Sequence, residues 1–141
     1  MIVRFATGKL CVAEAASGRE AEASFVKGLE YSPGDLEFNN NLAYIRSEYL
    51  GDHEGAIPPA RAAATAAPQN ANILDTLGWV YFKAGRMSEA QQSLQAARQY
   101  ASRPLEYIPI EMHLSEVFLA KGDRPQNVGP RPHGAIIDQW D

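Results

Sequence analysis

Cysteine is nearly absent: Cys11 is the sole thiol, so no disulfide within the chain can staple it. A basic excess is missing too, since 13 Lys and Arg stand against 17 Asp and Glu for a net charge of -4. Nucleic-acid binding needs clustered cationic side chains, and none is expected here. No apolar run approaches the roughly 20 residues that cross a bilayer, so no membrane span is expected. Nor does any stretch alternate apolar and polar residues for long enough to mark a strand. His53, His113 and His133 are scattered, with neither an HExxH spacing nor a cysteine pair to make a metal site. No Gly-rich loop follows a strand, so no phosphate cradle and no cofactor is expected. His113 and Glu116 share a helix face and could do acid–base chemistry, but a solvated surface pair is the simpler reading. These absences leave little room for an enzyme.

The N-terminal residues make a poor secretion signal, because Arg4 and Lys9 interrupt the apolar stretch. Gly8, Lys9 and Leu10 before Cys11 do not form a lipoprotein cleavage site. The compartment is left open, with the cytoplasm as default.

What the chain does have is helix-forming material. Its 141 residues suit one domain, 45% of them hydrophobic and 21% charged, with abundant alanine as closely packed helices require. The most regular stretch runs from Asn72 to Pro104. Leu74, Leu77, Gly78 and Tyr81 share one helical face. Gly78 costs helix stability, about 1 kcal/mol relative to Ala, which makes sense if a neighbouring helix must approach closely. Gly85 and Arg86 break the pattern, and Ser88 is the expected N-cap of the next helix. That helix places Ala90, Leu94 and Ala97 on one face. The two form a hairpin that could not bury both faces alone.

Leu77-Gly78, Tyr81, Ala90, Leu94 and Ala97, followed by a proline, resemble the tetratricopeptide repeat, a helix-turn-helix unit of roughly 34 residues. The stretch DTLGWVYFKAG is particularly similar to the first helix (helix A) of bacterial members. Sliding that template finds Leu42-Ala43, Ala56, Ala60, Ala63 and Pro68 upstream. Further upstream come Leu10-Cys11, Gly18, Ala21, Phe25, Gly28 and Pro33, which makes Cys11 a packed thiol rather than a nucleophile. Downstream, Leu114-Ser115, Phe118 and Gly122 repeat helix A with no second helix (helix B) after it. The resemblance implies an all-α, right-handed superhelix of about three repeats plus a closing helix, over residues 1–122. The units are expected at about 5–34, 35–69 and 70–104, with the closing helix at 107–121.

In chain order, the first helix A is expected from about Phe5 to Ser17 and its partner from about Glu20 to Tyr31. Asp35 is the expected cap of a helix from Leu36 to Leu50. Pro58-Pro59 predict that the next helix starts late, near Ile57, and is the shortest of its kind. The closing helix is expected to follow Pro109. Residues 123–141, DRPQNVGPRPHGAIIDQWD, read as a Pro- and Gly-rich tail. Ile136, Ile137 and Trp140 either belong to a disordered end or dock, on the chain's own final helix or in the groove of a neighbouring copy, the last making a homo-oligomer.

The resemblance also implies a function: in such arrays the A helices line a concave groove that binds extended peptides. The groove positions are Asn40, Asn41, Tyr44 and Glu48 in one unit, Asp75, Trp79, Phe82 and Lys83 in the next, and Met112 and Glu116 in the last. Trp79 either packs on the neighbouring helix pair or anchors a partner. The Lys/Asn/Arg clamp by which one subgroup holds chaperone tails is not present. Gly8 and Val12 stand at its first positions, Asn72 and Thr76 at its last, and Asn41 alone matches. The expected role is a non-catalytic protein-interaction scaffold whose partner is a protein or peptide, apolar with a basic residue. The alternatives are a regulatory or targeting part of a larger enzyme or secretion protein, or a self-associating structural module.

Overall fold

Side-chain oxygens placed just ahead of apolar periodic runs start several of the helices. Asp35 accepts from the Phe38 N–H at 2.9 Å and opens α2, Leu36–Glu48. Asp52 accepts from Gly55 N–H and opens α3, His53–Ala66. Asn70 accepts from both Asn72 and Ile73 and opens α4, Ala71–Lys83. Each accounts for one or two of the backbone donors that a helix start leaves free. α1 spans Ala15–Tyr31, α5 Met87–Tyr100 and α6 Pro104–Lys121. The computed structural model describes residues 3–4, 10–11 and 15–122, with side chains from 17 onward.

The helices form antiparallel hairpins, α2 with α3 and α4 with α5, while α1 packs on α2 and α6 closes on α5. α2, α4 and α6 also pack closely on one another in succession, whereas α3 and α5 are joined by the Arg61–Glu89 ion pair at 3.6 Å rather than by close packing. The array therefore curves with α2, α4 and α6 on its inner side. One continuous core joins Ala43, Ala56 and Ala60 to Leu74, Leu77, Val80, Leu94, Ile110 and Val117, all buried. A smaller cluster of Ala21 and Ile45, with Phe25, Tyr49 and Leu50 against it, fastens α1 to α2.

Gly78 sets the closeness of the central hairpin. A Cβ built there would lie 2.5 Å from Leu94 Cγ and 3.2 Å from the Ala90 carbonyl oxygen, so α5 can rest on the bare backbone of α4. Gly85, at φ +80°, turns the chain between them. Asn39, itself buried, staples the turn before α2 by donating to the Pro33 and Asp35 carbonyls.

Several local expectations change. The helix expected from Phe5 to Ser17 is replaced, where residues are described, by an antiparallel pairing of β1, Val3–Arg4, with β2, Leu10–Cys11, and α1 begins at Ala15. The helix holding Pro58 and Pro59 starts at His53, not near Ile57, and its 14 residues equal those of α5. It is no shorter than α5. Pro59 removes the donor that would reach the Gly55 carbonyl, and the Arg46 guanidinium takes that carbonyl instead, at 3.0 Å. Ser88 does not cap α5, which starts one residue before it with Arg86 in the cap position and no side-chain cap bond. The closing helix starts at Pro104 and runs through Pro109 rather than after it. Proline suits a first helical position, and the Glu106 carboxylate accepts from Ser102 and Arg103 N–H just ahead. The tail, 123–141, lies outside the described residues.

Candidate functional site

The inner face is organised on Trp79. Its backbone sits mid-way along α4, and its half-buried indole reaches both neighbouring inner helices. The indole N–H donates to Glu48 Oε1 of α2 at 2.9 Å. On the other side the ring stacks on His113 of α6, with centroids 4.2 Å apart and planes 25° from parallel. Within α4, Phe82 stacks on the same indole at 5.1 Å, and Lys83 Nζ lies 5.1 Å from its centroid. Residues three and four positions along a helix share a face, so Asp75, Trp79, Phe82 and Lys83 are brought together by the helix alone.

His113 is held edgewise as well. Its Nδ1 lies 2.6 Å from Asp75 Oδ1, and the Asp75 side chain is 6% exposed against 15% for the histidine. A buried carboxylate needs such a partner to offset its lost hydration. Asp75 thus fixes the imidazole, the imidazole supports the indole, and the indole engages Glu48. Four side chains from three helices make one chain of contacts across the array.

The other positions expected in the groove fall out differently. Tyr44 is half-buried, its ring edge-on to Tyr49 at 6.0 Å. Asn40 is half-buried, and its Oδ1 is the one buried side-chain nitrogen or oxygen without a hydrogen-bond partner among the described residues. Asn41 is buried. Asp75 is likewise buried and acts through His113. Glu48, Lys83, Met112 and Glu116 are exposed. Among the described residues, the structure thus brings Glu48, Asp75, Trp79, Phe82 and Lys83 together, and leaves Met112 and Glu116 on the far side of α6.

His113 itself was not expected in the site, and it is not the solvated partner of Glu116. Its position follows from the repeat. Met112 and Glu116 stand 37 positions after Asp75 and Trp79, so they face forward along the array, as those residues do. His113, one residue on, sits on the edge of α6 that faces back to α4. Repeat spacing plus one was the available signal.

Among the described residues no group of three or more His, Cys, Asp and Glu is placed to hold a metal ion. Among them, too, no helix is long and apolar enough to cross a membrane.

No protein-family profile matches the chain, and no curated protein sequence does. Solved structures do. The type III secretion translocator chaperone SycD of Yersinia enterocolitica is similar with a TM-score of 0.66 and 17% identity, over 77% of each chain. The Sgt2 tetratricopeptide-repeat domain of Aspergillus fumigatus is similar with a TM-score of 0.58 and 18% identity, covering 87% of this chain and 90% of that one. At these identities the likeness concerns the fold. The chain shares their fold, an all-α helical-repeat superhelix.

Proposed function

We propose that this chain is a non-catalytic scaffold that holds a segment of another protein along the inner face of α2, α4 and α6. The observation that carries this reading is the arrangement around Trp79. A large aromatic on the inner face is fixed on one side by a hydrogen bond and on the other by a stacked imidazole, and yet keeps part of its surface open. Rigid, half-open aromatic residues are the usual anchors of protein interfaces. The fold shared with a type III secretion translocator chaperone supports the same reading.

The chemistry of the face suggests the partner. Trp79, Phe82 and Tyr44 supply apolar surface. Exposed Glu48 and Lys83 lie on this face, and exposed Glu116 stands beyond it on α6, so the acids of the two inner-helix edges outnumber the one base. A matching segment is apolar and carries at least one Lys or Arg. Such complementarity governs association and weakens as salt screens it.

A fluorescence-polarisation screen of the full chain against a synthetic peptide library tests this. Apolar peptides with a Lys or Arg should bind, and tighter than their Glu-substituted counterparts, with affinity falling as salt rises. Equal binding of the Lys and Glu versions would remove the charge argument. Absence of binding throughout would remove the groove reading.

A further inference from the structure

The last helix presents an apolar stripe that the earlier inner helices do not. Leu105, Ile108, Met112 and Leu119 are 83%, 58%, 63% and 74% exposed. They fall at i, i+3, i+7 and i+14, one face of α6. Among the described residues, no large hydrophobic side chain of α2, α3 or α4 is exposed. The difference comes from position in the array. In α4 the forward edge, Asp75 and Trp79, is covered by His113 of α6. In α6 the matching edge, Met112 and Glu116, has no following helix among the described residues to cover it. Repeat arrays normally meet this problem with a polar outer face on the terminal unit. Here Leu105, Ile108 and Met112 adjoin over two turns, with Leu119 two turns further on beyond exposed Glu116, and an exposed apolar patch of this kind marks a surface that something covers.

We propose that residues 134–141 of the same chain cover it, with Ile136, Ile137 and Trp140 lying along Met112 and its neighbours. The segment supplies three large apolar side chains within five residues. The connection reaches. Thirteen residues separate Gly122, the cap of α6, from Ile136. Fully extended they span roughly 43 Å, whereas the 18 residues of α6 measure about 27 Å. The segment can therefore fold back to any point on the stripe. Attachment through a short spacer also gives the segment a high effective concentration at α6, which a separate copy at micromolar concentration lacks.

Methionine oxidation reads the coverage directly, because the rate follows access of peroxide to the sulfur. The full chain is compared with a chain ending at His133 and with a full-length Ile137→Asp, Trp140→Ser variant. Met112 oxidation is followed by peptide mass spectrometry, and Met87 on α5 is the internal reference. Light scattering at the same concentration gives the mass. Met112 should oxidise several-fold more slowly in the monomeric full chain than in either variant, while Met87 is unchanged. Equal Met112 rates in all three would overturn the proposal. So would protection that fades on dilution or persists without the segment, since a second copy would then be the cover. The point variant retains the full length of the chain, so a truncation that misfolds does not blunt the test.

Discussion

The Arg46 guanidinium donates from Nη1 to the Gly55 carbonyl at 3.0 Å, the carbonyl left without its intrahelical donor by Pro59. Its Nε donates to Glu22 at 2.7 Å, so one side chain of α2 fastens both α1 and α3. Both partners are partly shielded from solvent, at 24% and 28% side-chain exposure, which preserves more of the interaction than a surface pair would keep. A helix carrying two interior prolines persists here because a neighbouring helix replaces a lost bond.

Arg46→Ala should therefore destabilise the fold by about 2 kcal/mol, the scale of hydrogen bonds to a charged group. Arg46→Lys should recover little of it, because an ammonium lacks the planar fork that serves two acceptors at once. Urea denaturation checks both. A fully restored midpoint for the lysine variant would show that charge alone suffices.

Gly78→Ala sets two effects against each other. Helix propensity favours alanine by about 1 kcal/mol, while overpacking of a filled interior costs about 1–3 kcal/mol. With Leu94 Cγ only 2.5 Å from the added Cβ, packing should win, giving a net loss of about 1 kcal/mol. In a Leu94→Ala background only the Ala90 carbonyl contact at 3.2 Å remains, and the same substitution should cost less than it does in the wild type. Thermal melts of the four proteins in the cycle measure this. Additive effects would mean that Leu94 is not what requires the glycine.

The start of α6 should respond to acid. Glu106 accepts from the Ser102 N–H, from the Arg103 side chain and from the Arg103 N–H, which together hold its carboxyl at about 2, below the ordinary 4.5. Folding thus favours the ionised form. Its contribution is complete above the unfolded value near 4.5 and is lost as pH falls through about 2. The melting gap between the wild type and Glu106→Gln should be open near neutrality and close across that window. A gap that stays constant into acid would contradict the assignment.

Much of this could be read from residues close together in sequence. Asp35 as a cap, Gly85 as the turn and Gly78 as the point of close approach each depend on local chemistry or on one repeat's periodicity. The departures have distant causes. Pro58-Pro59 looked like a helix break because the compensating donor, Arg46, belongs to another helix. His113 looked like a surface residue because Asp75 and Trp79, which hold it, lie on α4. The pairing of Val3–Arg4 with Leu10–Cys11 stands where the template placed a helix, in the unit that matched the repeat least well. Within the proposed face, helical spacing alone assembled Asp75, Trp79, Phe82 and Lys83. What joined them to α2 and α6 was cross-repeat bonding that no local pattern carries.

The most direct test of the scaffold reading is the affinity of the full chain and its Trp79→Ala variant for the tightest peptide from the library, alongside their melting temperatures. If Trp79 anchors the partner, the substitution costs about 2 kcal/mol or more of binding, roughly 30-fold in Kd. A lowered melting temperature with unchanged Kd would show that Trp79 only ties α2, α4 and α6 together, and the account of the binding face would fail.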